Sequence, residues 1–280
     1  MIERSCGLND SALEAIAGLE RRVVAADSGR LKLEWGTLRS RPADEVRDLL
    51  AWEDNRLVGF LGIYGHSWKH LELTGMVDPA TRRRGIGRAL FDAVLPLCRE
   101  QRKDRLLLVV PRSSPAGAAF ARGRGMSFEH SEHALALRER PQQASATERI
   151  ELRAATTGDI PVLSKLYDDA FHDGGHVDPS RLTSERSRTL LICCDDEPVG
   201  TITVAREARR GAVYGFAVAP AWRGRGIGRQ VLRRVCQQQF DGGAERVDLE
   251  VEVENDGALG LYTSVGFTLE ATDDYYELIL

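Results

Sequence analysis

Several features that would place the chain in a special class are missing. No apolar run approaches the roughly 20 residues of a transmembrane helix, and the start, MIERSCGLND, has no signal-peptide core. The five cysteines are odd in number and have no metal-ligand spacing. We expect a cytoplasmic protein with free thiols, no bound metal and no membrane partner.

A strong excess of one charge is also missing. The formal net charge of −4 gives no general attraction to nucleic acid, so we expect no nucleic-acid partner. What is present is an ordinary mixture, with 42% hydrophobic and 29% charged residues. The 280 residues suffice for one large or two ordinary domains, and they leave the oligomeric state open.

A shift of 141 positions aligns three stretches of the chain with three others. The pairs are EDNRLVGFLGI with CDDEPVGTITV, TRRRGIGRAL with WRGRGIGRQV, and FARGRGM with LYTSVGF. One offset serves all three, which indicates two copies of one domain. We predict domains at 1–140 and 150–280, separated by the polar linker RPQQASATER.

The second copy predicts a mixed α/β domain of layered helices and strands. A strand at Ile150–Arg153 precedes a helix that begins near Thr157. A hairpin, the strand AVYGFAV and a helix from Ile227 with a helical apolar stripe follow. Next come the strand RVDLEVEV, the short helix ALGLYTSV and two last strands, FTLEA and YYELIL.

The glycine turn before each long helix suits an anion. Free N–H groups at a helix start point outward, and glycine lets the backbone approach a phosphate closely. A Rossmann fingerprint would need glycine where Val231 stands, and no Walker A motif occurs. The alternative is a tight turn without a ligand. Two arginine-rich copies in matching contexts favour the anion site.

The turns, Arg223–Gly226–Gly228 and Arg82–Gly85–Gly87, resemble the pyrophosphate loop of the GCN5-related N-acetyltransferases (GNAT). LEVEVENDGALGLYTSVGF is similar to the second signature of that family. The resemblance implies two tandem GNAT-like acyl-CoA N-acyltransferase domains, each a mixed, splayed sheet flanked by helices, in an architecture like that of mycothiol synthase. It also implies acetyl-CoA as co-substrate.

The resemblance implies where acetyl-CoA binds. Backbone groups of 216–218 would hold the pantetheine and the thioester carbonyl, residues 223–229 the pyrophosphate, and Asn255 the pantetheine or the neighbouring backbone. The implied cofactor residues are Phe216, Ala217, Val218, Arg223, Gly224, Arg225, Gly226, Ile227, Gly228, Arg229 and Asn255 in the second copy and Gly75, Met76, Val77, Arg82, Arg83, Arg84, Gly85, Ile86, Gly87 and Arg88 in the first.

Tyr262 is the expected catalytic acid, because the departing thiolate needs a proton and a phenol can supply it. The alternative is a tyrosine that fills the core. The general base is left open among Glu250, Glu252 and Tyr214, and Glu250 is our candidate. These groups also fit a solvated strand face. His172 and His176 suit a substrate loop better than a metal site.

The first copy departs from the signature. Ser114 stands where Asn255 does, Ala121 replaces Tyr262, and the adjacent Phe120 cannot donate a proton. We therefore predict a first domain that is catalytically degenerate. Glu72 on its equivalent strand leaves weak activity open.

The predicted function is an N-acetyltransferase that moves acetyl from acetyl-CoA directly to a primary amine of a small molecule or peptide, mainly in the second domain. The alternative is an acyl-CoA-binding sensor; a cysteine acyl-enzyme at Cys193–Cys194 is disfavoured because no histidine partners it. Two acidic groups predict a cationic acceptor, unless they are only a solvated face. They are Asp168, Asp169, Asp173 and Asp178, and Asp273, Asp274 and Glu277.

Overall fold

A computed structural model describes residues 1–27, 29–65, 70–101, 103–142, 149–171, 175–182, 184 and 187–280. The chain forms two compact units. The N-terminal unit comprises Met1–Glu132 together with Ala271–Leu280, and the C-terminal unit comprises His133–Glu270. His172 and Asp173 lie outside the described residues.

The first half of the chain alternates strands with helices. Its strands are β1 (Ile2–Cys6), β2 (Val46–Glu53), β3 (Arg56–Tyr64), β4 (His70–Val77), β5 (Arg105–Pro111) and β6 (Ser127–Leu137). Its helices are α1 (Asp10–Asp27), α2 (Trp35–Arg39), α3 (Ile86–Glu100) and α4 (Pro115–Gly123).

The second half repeats this order. Its strands are β7 (Ile150–Ala154), β8 (Ser187–Cys194), β9 (Glu197–Glu207), β10 (Arg210–Val218), β11 (Arg246–Glu252) and β12 (Thr268–Ile279). Its helices are α5 (Ile160–Asp168), α6 (Pro179–Leu182), α7 (Ile227–Asp241) and α8 (Asp256–Val265). The predicted mixed α/β class is confirmed.

Each unit builds its sheet in the same strand order. In the N-terminal unit the order is β1-β2-β3-β4-β5, then the end of β12 and the start of β6. In the C-terminal unit it is β7-β8-β9-β10-β11, then the end of β6 and the start of β12. β4–β5 and β10–β11 are parallel pairs, and the hairpins β3–β4 and β9–β10 are antiparallel.

The last strand corrects the expectation of two strands at the chain end. β12 is a single strand, and its residues from Asp273 to Ile279 pair with β5. The polar pair Asp273–Asp274, which falls between the two predicted strands, lies within this ladder opposite Pro111 and Val110. Compact packing therefore assigns Ala271–Leu280 to the N-terminal unit, which differs from the predicted boundaries at 140 and 150.

The core of the C-terminal unit forms as the apolar stripe of its long helix predicts. One face of α7 is buried against the sheet through Ile227, Val231, Leu232, Val235 and Cys236. Burial of these side chains is the main stabilising term of the unit. Within the described ranges, no helix is long and apolar enough to cross a bilayer.

Candidate active site

The glycine turn of the C-terminal unit has the backbone geometry of an anion cradle. Gly224 and Gly226 adopt left-handed φ angles of +78° and +82°, and Gly226 is the N-cap of α7. Nothing lies within 4 Å of the position that a Cβ would take at Gly224. The first amides of α7 are therefore approachable by a phosphate at the positive end of the helix dipole.

The arginines of this turn contact neutral groups. Arg223 Nε donates to Val218 O at 2.9 Å, and Arg225 stacks over the Trp222 ring at 4.6 Å. Arg229 Nε donates to the Ser264 hydroxyl at 2.9 Å. The acceptors of Arg223 and Arg229 are uncharged and orient these two guanidinium groups, which suits a pyrophosphate.

A cleft opens where the central strands of this unit part. The parallel ladder of β10 with β11 covers only Arg210–Ala212, although β10 continues to Val218. One extra residue bulges from β10 between Tyr214 and Ala217, where Gly215 has a φ of +56°. The backbone groups beyond Ala212 on this edge are outside that ladder, which leaves them for an extended ligand.

Tyr262 lies on α8 in an apolar setting. It is 8% exposed, and its ring packs edge-on against Phe267 at 6.1 Å. Burial raises the pKa of its phenol to about 12, so the hydroxyl keeps its proton at neutral pH. Asn255 caps the same helix, because its Oδ1 accepts from Ala258 N at 3.0 Å. The cap fixes the start of the helix that carries the phenol.

The three base candidates share one face of the sheet. Glu250 and Glu252 alternate on β11 with the buried Leu249 and Val251, so they point away from α7. Tyr214 pairs across the sheet with Thr203, near the helix α5, and is 44% exposed. Glu250 remains the candidate base.

The N-terminal unit repeats the turn but neutralises its arginines. Gly85, with a φ of +86°, is the N-cap of α3, as Gly226 is of α7. Arg83 also takes a positive φ, of +64°. Each remaining arginine faces a carboxylate. Arg82 bonds to Asp27 at 2.7 and 2.8 Å, Arg84 to Glu53 at 3.0 Å twice, and Arg88 Nε lies 3.9 Å from Asp92.

The cleft of the N-terminal unit also differs. The ladder of β3 with β4 runs from Gly59–Val77 to Tyr64–Glu72 without a register shift, so β4 lacks the bulge found in β10. Ala121, at the position of Tyr262, is fully buried. Ser114 caps α4 as Asn255 caps α8, with Gly117 N as donor at 3.2 Å. The repeat has kept the helix cap and lost the phenol.

Polar side chains fill the corresponding sheet face of the N-terminal unit. Lys32 Nζ lies 2.5 Å from the Tyr275 hydroxyl, 3.4 Å from Glu132 and 3.8 Å from Glu72. Glu72, the candidate base of this half, is only 13% exposed in that cluster. Val109, which aligns with Glu250, is buried. Among the residues that the structure describes on this face, none is an open carboxylate comparable to Glu250.

Of the two acidic groups predicted to attract a cationic acceptor, the group in the last strand is wrong. Asp273, Asp274 and Glu277 belong to the N-terminal unit, where Asp273 is 2% exposed. Asp274 pairs with Arg112 and Glu277 with Arg105, both at 2.8 Å. They fail as a wall because β12 carries them into the ladder with β5 of the N-terminal unit. In the C-terminal unit, Asp168 and Asp178 accept from nearby backbone N–H groups.

The comparisons with known proteins agree with this geometry of two units of one fold, each with a glycine turn before a long helix. The profile of the acetyltransferase (GNAT) family matches residues 18–126 and 157–267. The chain belongs to this family, and it is a tandem acetyltransferase. The resemblance inferred from the two motifs is confirmed.

Relatives and solved structures extend over the whole chain. Mycothiol acetyltransferases of Kytococcus sedentarius and Thermomonospora curvata are 29% and 28% identical, across 94% and 98% of this chain and 93% and 96% of their own. A GCN5-related N-acetyltransferase of Sphaerobacter thermophilus has a TM-score of 0.79 at 19% identity, covering 99% of this chain and 95% of its own. A tandem GNAT protein of the clavulanic acid pathway has a TM-score of 0.70 at 18% identity, covering 100% and 98%. The two structures bear on the fold alone.

Proposed function

We propose that the C-terminal unit binds acetyl-CoA and transfers its acetyl group directly to a primary amine of a small molecule or peptide. The observation that carries this proposal is the buried, apolar position of Tyr262 on α8, in the unit where Arg223 and Arg229 of the glycine turn donate to uncharged acceptors, Val218 O and the Ser264 hydroxyl. The residues fit the ligand: an open cradle at Gly224 and a parted strand edge beyond Ala212.

Acetyl-CoA supplies an acetyl thioester, and the residues of this chain manage the charge and the protons. Backbone N–H groups of 216–218 hold the thioester oxygen, where negative charge develops. As the new C–N bond forms and the C–S bond breaks, the Tyr262 hydroxyl gives its proton to the departing sulfur. Glu250 takes the proton of the amine, directly or through a water. The phenol is then restored by solvent.

The names of the relatives make a mycothiol-related amine the first acceptor to test. Glu250 and Glu252 on an open sheet face suit a cationic amine, because carboxylates attract the opposite charge. We place the active site in the cytoplasm, where acetyl-CoA is available. The N-terminal unit is proposed to be catalytically degenerate, since its arginines are neutralised and Ala121 replaces the phenol.

The test is an acetyl-transfer assay that follows thiol release, with a mycothiol-related amine, aminoglycosides, amino acids and peptides as acceptors. Tyr262→Phe should lower kcat roughly a hundredfold or more and leave acetyl-CoA affinity unchanged, because it removes a proton donor and little surface. Tyr276→Phe, which removes a hydroxyl from another buried tyrosine, is the matched control. Equal losses in the two variants would refute the role of Tyr262.

A further inference from the structure

Two arginines with like charge are neighbours beyond the glycine turn of the C-terminal unit. Arg229 and Arg233 stand four residues apart in the first turns of α7. Residues at this spacing are adjacent on a helix surface, and like charges there are destabilising. At the equivalent positions, α3 carries the opposite charges of Arg88 and Asp92. The substitution of Asp92 by Arg233 in the second copy therefore needs a reason.

The described contacts of Arg229 and Arg233 favour the binding of an anion. The Ser264 hydroxyl on α8 accepts from Arg229 Nε at 2.9 Å and donates to Leu261 O at 2.7 Å, which tethers one edge of the guanidinium. Arg233 Nε is buried and has no hydrogen-bond partner among the described residues. A buried donor without a partner costs free energy, which adds to the cost of the like-charged pair.

In the N-terminal unit, the position equivalent to Arg233 carries a carboxylate of the chain itself, Asp92. Asp92 pairs with Arg88 at 3.9 Å and accepts a hydrogen bond from Arg124. In α7 the position of Asp92 carries a cation, so the carboxylate is absent and a second guanidinium has been added. This arrangement is complementary to a doubly charged oxyanion.

We propose that Arg229 and Arg233 form a subsite for the 3′-phosphate on the ribose of CoA. The inference rests on the proposed binding of the pyrophosphate at Gly224–Gly228. Arg229 and Arg233 are separated by about 6 Å along the helix axis, and the ribose phosphate is attached next to the pyrophosphate. A dianionic phosphomonoester between two guanidinium groups would neutralise the like-charged pair. The subsite selects CoA thioesters over those of 3′-dephospho-CoA.

The test compares the affinities of CoA and 3′-dephospho-CoA by calorimetry. All variants carry Gly85→Val, so that the turn of the N-terminal unit does not contribute. Arg233→Asp restores the residue found in α3 and lets Arg229 pair internally. We expect it to weaken CoA binding about tenfold or more, because charge-assisted hydrogen bonds are lost. The affinity for 3′-dephospho-CoA should fall by a clearly smaller factor, because the new carboxylate also neutralises Arg229 beside the pyrophosphate but removes no contact to a 3′-phosphate.

Arg234→Asp is the matched control, since it makes the same charge change on the next residue of α7, where the guanidinium donates to Ile150 O. It should alter both affinities by the same small factor. Equal weakening of both ligands by Arg233→Asp, or none, overturns the subsite. Retained binding of 3′-dephospho-CoA shows that the variant is folded. If the parent binds neither ligand, the proposed acetyl-CoA site itself has failed.

Discussion

Two buried tyrosines show how neighbours decide what a phenol can do. The described contacts of the Tyr262 ring are apolar, so its hydroxyl retains a proton to give away. Tyr275 in the N-terminal unit stacks on His130 at 4.2 Å and bonds to Lys32 and Glu132. Its hydroxyl is committed to a structural network. Of these two tyrosines, Tyr275 is therefore the one whose hydroxyl is held by charged neighbours.

His130 predicts a pH dependence for the N-terminal unit. Desolvation lowers its pKa, but the hydrogen bonds and charges of Glu132 and Glu129 outweigh this and raise it to about 9. Because the pKa is above the ordinary 6.5, the stabilisation is full below pH 6.5 and is lost as the pH rises through 9. We expect the Tm of this unit to fall by a few degrees over that interval, measured by thermal melting.

His130→Gln is the control for this prediction. The variant should melt below the parent at pH 6.5 and approach it by pH 9.5, because the charged imidazolium is absent from both at high pH. An unchanged difference in Tm across the interval would show that the titration of His130 does not stabilise the unit.

The two glycine turns should differ in how tightly they bind acetyl-CoA, although their backbone conformations match. Valine at Gly226 or Gly85 is strained, because both residues have positive φ angles. We expect Gly226→Val to abolish the tighter acetyl-CoA binding in calorimetry. Gly85→Val should remove only a weaker event, since Asp27 and Glu53 neutralise its arginines. A larger loss from Gly85→Val would reverse the assignment of the units. Thermal melting of both variants separates lost binding from lost folding.

The sequence predicted elements better than their connections. The 141-residue repeat located the turns and α7, because these depend on local chemistry, whereas the helix caps at Ser114 and Asn255 were not predicted. The ion pair of Arg82 with Asp27 depends on residues 55 positions apart, so no local pattern indicated it. The bulge near Gly215 was also missed, although a glycine inside a strand is the signal that could have found it.

At the scale of the molecule, the repeat predicted two domains but not the exchange of strand segments. A 12-residue strand was divided into two predicted strands because Asp273 and Asp274 are rare inside a ladder. Asp274 pairs with Arg112, which lies 162 residues earlier in the chain. The acidic wall expected from these residues depended on proximity in sequence, and tertiary pairing removed them from that position.

Removal of Ala271–Leu280 should therefore unfold the N-terminal unit and leave the C-terminal unit folded, although the C-terminal unit ends at the cut. The segment pairs with β5 over seven residues and buries Tyr275 and Tyr276. We expect hydrogen exchange of a chain ending at Glu270 to show loss of protection in β5 and retained protection in α7. Protection of β5 equal to that in the full chain would contradict the assignment of β12.

The order of synthesis gives this shared strand a consequence of its own. A ribosome releases the N-terminus first, yet β5 waits for residues that emerge some 160 positions later. At about 5 to 20 residues per second, that delay is on the order of 10 to 30 s. Until then the backbone N–H and C=O groups on this edge of β5 are unpaired in the nascent chain, and such an edge can pair with a non-native strand. The half that is translated first is the half that is completed last.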